Sequence, residues 1–143
     1  MEIAIREIEE EDYNAVLSLW KELGNKLVTA DNIALHYDRV KNDDRYKTFV
    51  ALLDSKVVGL ISSVQSYEVG YEVGFIHIVG LVVRNENQGK GIGTKLLQHF
   101  EVYAKDKGVH SIILNTGVQR TGAHAFYKAN GYDNHSWCFS KRL

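Results

Sequence analysis

The sequence predicts an α/β chain, a mixed sheet with a strand, a glycine-rich turn and a helix at its centre. Three observations predict it. "EVGFIHIVGLVV" (72–83) is a near-continuous apolar run of the kind buried on both faces of a sheet. "QGKGIG" (88–93) then packs three glycines into five positions. The chain after them repeats apolar residues at helical spacing, through Ile92, Leu96, Leu97, Phe100 and Tyr103.

The other elements follow in order. "EIAIREI" alternates apolar and charged residues, as a half-buried strand does. "EEEDYNAVLSLWKELG" has acids in its first turn and Val16, Leu19, Trp20 and Leu23 on one face, so it reads as a helix stopped at Gly24. Residues 25–44 are helical in part, around "NIALHYDRV", without clear caps. "KTFVALLD" and "VVGLISSVQS" flank Ser55 and Lys56 and read as a hairpin. The central helix ends at Lys105, Lys107 and Gly108. "SIILN" is a further strand, "AHAFYKANGY" a short helix, and "SWCFSKRL" a last strand.

Composition bounds the function. A chain of 143 residues, 45% hydrophobic and 24% charged, is one soluble domain's worth, expected to span 1–143. A formal net charge of -1 argues against nucleic acid or a membrane surface as general partner. The single cysteine, Cys138, excludes an internal disulfide and suits a reducing compartment. The acidic start lacks a signal-like apolar run, and "FIHIVGLVV" is too short to span a bilayer. A cytoplasmic protein is expected. The six histidines lack metal-ligand spacing and one cysteine makes no zinc site, so no metal is expected. No G-x-S-x-G elbow occurs.

A buried strand feeding a glycine turn and a helix N-terminus makes an anion site. Free N–H groups and the positive end of the helix dipole point the same way, and the missing Cβ atoms let a phosphate approach the main chain. A P-loop would need glycine, lysine and then Ser or Thr, whereas here Gly93 precedes Thr94 and Lys95. The glycine spacing does not match a dinucleotide fingerprint either.

"LVVRNENQGKGIG" instead resembles the acetyl-CoA signature of the GNAT N-acetyltransferases, with Gln88, Gly91 and Gly93 in register. "NTGVQRTGAHAFYKANGY" is similar to that family's second motif, through Asn115, Ala123, Phe126, Tyr127 and Gly131. The opener "IREIEEEDYNAVLSLW" resembles its first strand and helix. Asn85 stands where the family often has proline, which lowers the stiffness of the loop.

The resemblance implies a mixed, mostly antiparallel sheet of about six to seven strands, splayed at its centre and flanked by about four helices. It implies direct acetyl transfer from acetyl-CoA to an amine, with no covalent enzyme intermediate and no metal. The backbone N–H groups of residues 89–94 (Gly89, Lys90, Gly91, Ile92, Gly93 and Thr94) would wrap the pyrophosphate, with Gln88 a further cofactor-binding residue. Main-chain groups of Leu81, Val82 and Val83 would hold pantetheine and the acetyl oxygen, and Asn115, Ala123 and Lys128 would add further contacts. Tyr127 falls at the position of the general acid. For the base, His77 stands where many relatives have glutamate, Glu72 is the next candidate, and a water chain is the third. Arg84 or Arg120 would reach the adenosine end.

The acceptor would lie against residues 24–37, 65–73 and 133–139. Tyr67, Glu68, Tyr71 and Glu72 would suit a cationic amine, and a small-molecule primary amine is the expected partner. A protein lysine or N-terminus remains open, as does a non-catalytic acyl-CoA-binding module. Many relatives pair through C-terminal strands, so a homodimer is expected from the resemblance alone.

Overall fold

The computed structural model describes residues 2–143, which form two compact units divided between Ile113 and Leu114. The first unit carries the sheet. Its strands are β1 (Ile3–Glu7), β2 (Tyr46–Leu53), β3 (Lys56–Ser66), β4 (Phe75–Val83) and β5 (Ser111–Leu114, whose last residue opens the second unit), laid side by side in chain order. The pairs β1–β2, β2–β3 and β3–β4 are antiparallel. The β2–β3 hairpin closes through Asp54 and Ser55, both with positive φ, the primed turn whose twist matches that of the strands.

Helices α1 (Tyr13–Glu22) and α2 (Ala30–Val40) cover one face. Val16, Leu19, Ile33 and Tyr37 meet Val50, Val57, Leu60 and Val82 there in one buried cluster. The cap of α2 that the sequence left unclear is Thr29, which accepts from the Asn32 N–H while Asn32 reaches back to the Thr29 N–H. Helix α3 (Ile92–Lys107) covers the opposite face. Phe49, one residue before Val50, packs edge-on against His99 and Tyr103 of α3, and this alternation of neighbours is what sheet pleating requires.

The chain from α3 returns to the end at which β4 began, where the His110 N–H donates to the Gly74 carbonyl at 2.9 Å. Strand β5 is the neighbour of β4 at this edge of the sheet.

The second unit holds α4 (Thr121–Ala129), followed by residues 133–143, which are exposed and without regular structure. The last strand expected from "SWCFSKRL" does not form, and the described sheet has five strands rather than six or seven. The alternation of Trp137 and Phe139 favours a strand, but a strand also needs a neighbour for its N–H and C=O groups. Within this unit none is present among the described residues, and both side chains stand in solvent, at 84% and 93% exposure. No described helix is long and apolar enough to cross a membrane.

Candidate functional site

The centre of the first unit is the passage from β4 to α3. After Val83 the chain makes one 3-10 turn, Asn85–Asn87, and enters the glycines. Gly89 and Gly91 sit in the left-handed region, at φ 77° and 80°. A Cβ built on either would have no protein atom within 4 Å, so neither glycine is needed to relieve internal crowding. Gly91 is also the N-cap of α3 and offers no side chain to it, so the first-turn N–H groups of Ile92, Gly93 and Thr94 receive no capping acceptor. Open space beside both glycines and the positive end of a 16-residue helix are the features that suit the approach of an anion.

Asn85 does more than soften the loop. Its Oδ1 accepts from Gln88 Nε2 at 3.3 Å, and the same amide donates to the Val83 carbonyl at 3.1 Å. Gln88 thus ties the end of β4 to the turn, restoring by hydrogen bonds some of the stiffness a proline would supply.

Within β4 the register slips. Ser62 faces Gly80, whereas Ser63 faces Ile78, so Val79 is an extra residue that bulges outward at 50% exposure. His77 and Gly80 are three positions apart, which in a regular strand would put them on opposite faces. The bulge puts both on the α1/α2 face, with His77 opposite Val64 and Gly80 opposite Ser62. A sequence signal for it existed, a lone glycine inside an apolar strand. Val82 turns its side chain into the core, so the Leu81–Val83 stretch can serve a ligand through its main chain.

Several sequence expectations are relocated. Glu72 is not on β4 but in the exposed loop ahead of it. Glu68, a candidate for holding a cationic amine, is engaged by His110 Nε2 at 2.9 Å, and Tyr71 stacks on the same imidazole at 4.2 Å. Arg84 does not extend toward a nucleotide. Its guanidinium donates to the Val57 and Ala15 carbonyls and to Ser18 Oγ, joining the end of β4 to β3 and α1.

In the second unit Asn115 is exposed, one residue beyond the end of β5. Ala123 and Tyr127 share a face of α4, four residues apart, with exposed Lys128 beside them. Tyr127 packs edge-on against Phe126 and Tyr132. Burial pushes its phenol above the usual 10, and the nearby Arg120 charge opposes part of that shift. Among the described residues no group of three or more His, Cys, Asp or Glu could hold a metal ion.

Comparison with known proteins agrees with this geometry. The profile of the Acetyltransferase (GNAT) family matches residues 3–132. An aminoalkylphosphonate N-acetyltransferase of Salmonella typhimurium is 33% identical over 94 residues, covering 66% of this chain and 61% of the relative. N-alpha-acetyltransferase 30 of Schizosaccharomyces pombe is 33% identical over 97 residues, 67% of this chain and 60% of the relative. The matches thus span about three-fifths of the length of these curated relatives. The crystal structure of an aminoglycoside N-acetyltransferase in complex with CoA superposes with a TM-score of 0.87 over 99% of this chain and 95% of that one, at 16% identity, a likeness of fold. With its profile spanning nearly the whole sequence and its β4–glycine turn–α3 unit in place, the chain belongs to the GNAT acetyltransferase family.

Proposed function

We propose that the protein is an acetyl-CoA-dependent N-acetyltransferase that passes an acetyl group directly to a primary amine of a small molecule. The observation that carries this reading is the cradle at Gly89–Thr94, where two left-handed glycines leave open space beside an uncapped helix N-terminus. The pyrophosphate of CoA fits such a site, because its charge meets N–H donors and a helix dipole with no Cβ in the way. Lys90 and Lys95 add positive charge nearby. Acetyl-CoA supplies an activated thioester.

The chain's own groups have three tasks. Main-chain groups of Leu81–Val83 supply donors for the acetyl oxygen. His77, brought to the α1/α2 face by the bulge, takes a proton from the amine directly or through water, and Glu72 is the alternative. Tyr127 is the general acid for the departing thiolate. Its raised pKa keeps it protonated at neutral pH, and Asn115, Ala123 and Lys128 bind CoA around it.

A small amine as acceptor is supported by the Salmonella relative, whose name specifies an aminoalkylphosphonate. The yeast relative, an N-alpha-acetyltransferase, supports a protein N-terminus as the second reading. The exposed Trp137 and Phe139 support pairing of two copies through residues 133–143.

The test is the thermal midpoint with acetyl-CoA, CoA, ATP and NAD added separately, followed by amine-dependent thiol release. At about 100 times its dissociation constant a ligand adds roughly 2.7 kcal/mol. A shift with acetyl-CoA and CoA alone, and thiol release with a small amine, are the expected results. A shift with ATP or NAD alone, or none at all, overturns the reading.

A further inference from the structure

Trp20, on α1, bears on the main chain of β4 at one point. A Cβ placed on Gly80 would fall 2.5 Å from Trp20 Cη2, 2.8 Å from its Cζ3 and 3.3 Å from Leu23 Cδ2. The indole therefore occupies the space a side chain at position 80 would fill, directly beside the bulged Val79.

The ring is held there by a chain of polar groups on the α1/α2 face of the sheet. Trp20 Nε1–H donates to Tyr37 Oη at 3.0 Å. Tyr37 Oη and Ser62 Oγ share a hydrogen bond at 3.1 Å, and Ser62 Oγ and Thr48 Oγ1 share one at 2.7 Å. Tyr37, Ser62 and Thr48 are all buried, at 3%, 3% and 7% exposure. Apolar packing alone lets a ring slide, whereas hydrogen bonds are directional and a buried set is costly to leave half-made. The chain runs from β2 through β3 and α2 to the indole, so it ties the height of Trp20 to β3, the strand paired with β4, and to β2 beyond it. Ser62 is also the residue opposite Gly80, so the ring and the register slip are anchored at the same rung.

We infer that Trp20 is a positioning residue for the transfer reaction. It sets the bulged segment Val79–Leu81, and with it the direction of the Leu81 main chain and of the His77 side chain. The inference rests on the acetyltransferase reading, in which those two groups face the acetyl oxygen and the amine. A misplacement of about 1 Å is worth as much as 10²-fold in rate even when it originates away from the chemistry. The cradle at Gly89–Thr94 lies beyond this contact along the chain, so the share of CoA affinity that comes from its pyrophosphate should be insensitive to it.

The experiment compares Trp20→Ala and Trp20→Phe with wild type and with Leu97→Ala, a fully buried α3 residue that serves as a control for lost stability. The readouts are kcat and KM for acetyl transfer, the Kd of CoA by calorimetry, and the ¹⁵N amide resonances of residues 78–82. Trp20→Ala should lower kcat about tenfold or more with a smaller change in the Kd of CoA, and the amides of Val79, Gly80 and Leu81 should move. Trp20→Phe, which keeps a ring on Gly80, should recover most of the rate. Leu97→Ala should lower the thermal midpoint with kcat and those amides unchanged. Trp20→Ala with wild-type kcat, or with the amides unmoved, overturns the inference. If wild type itself transfers no acetyl, the proposed function fails by that result, and the amides alone decide whether Trp20 sets the bulge.

Discussion

Gly91→Ala separates a glycine kept for the backbone from one kept for a ligand. Gly91 has φ 80° and ψ 8°, and Gly108, at the other end of the same helix, has φ 80° and ψ 17°. Neither site is crowded. A Cβ on Gly91 meets nothing within 4 Å, and one on Gly108 meets only Val73 Cγ2 at an ordinary 3.8 Å. Left-handed backbone costs an alanine about 1–2 kcal/mol at either position. For a chain of this size each kcal/mol corresponds to a fall of roughly 3–5 °C in Tm. The two variants should therefore lose similar stability. They should differ in ligand binding, because only the Gly91 methyl intrudes on the cradle. CoA affinity should fall about tenfold or more in Gly91→Ala, equivalent to roughly 1.4 kcal/mol, and stay within about twofold of wild type in Gly108→Ala. Scanning calorimetry and titration calorimetry on the three proteins suffice. Equal CoA affinity in both variants would refute the cradle, and so would a loss confined to Gly108→Ala.

Tyr127→Phe should lower kcat by roughly 10²–10⁴ while leaving CoA affinity unchanged, the range expected for loss of a general acid. Because burial raises the phenol pKa against the opposing Arg120 charge, the wild-type rate should show no loss of acid catalysis below about pH 10, measured as a kcat profile. Asp12, 4% exposed, accepts from both Arg6 Nη1 at 2.7 Å and Nη2 at 3.0 Å and from the Glu9 N–H. Burial opposes its ionised form, but Arg6 and that N–H outweigh it and hold the carboxyl below the ordinary 3.8. Its stabilisation is therefore present above the unfolded pKa and lost as pH falls through the lower, folded one. Asp12→Asn should cost about 2 kcal/mol at pH 7, and denaturant titrations should find that gap closing below pH 3.8.

Residues close together in sequence account for much of what could be read without coordinates. Alternation over Ile3–Glu7, the stripe from Ile92 to Phe100 and the stop at Gly108 are local consequences of side-chain period and backbone freedom, and the structure has them. The β2–β3 hairpin is equally local. The glycine turn was legible for the same reason, since its donors come from consecutive residues. The cap of α2 was local too, but an Asn in the reciprocal position is a weaker signal than Glu or Gln.

The sequence by itself therefore determined the family, the order of elements through α4 and the glycine turn ahead of α3, all properties of neighbouring residues. Only the tertiary structure decided which groups are free to act. By sequence Arg84 and Glu68 are available charges, but in the fold Ser18, 66 positions from Arg84, and His110, 42 positions from Glu68, are bonded to them. His77 faces the α1/α2 side because β3 and β4 slip by one residue at Val79, a property of the pair of strands that neither strand's sequence fully specifies. Trp20 is by sequence one more apolar residue on α1, and only the fold sets its ring against Gly80. The last expected strand fails for the same reason in reverse. Alternation can make a segment ready to pair, but only another strand at the right distance can complete its hydrogen bonds.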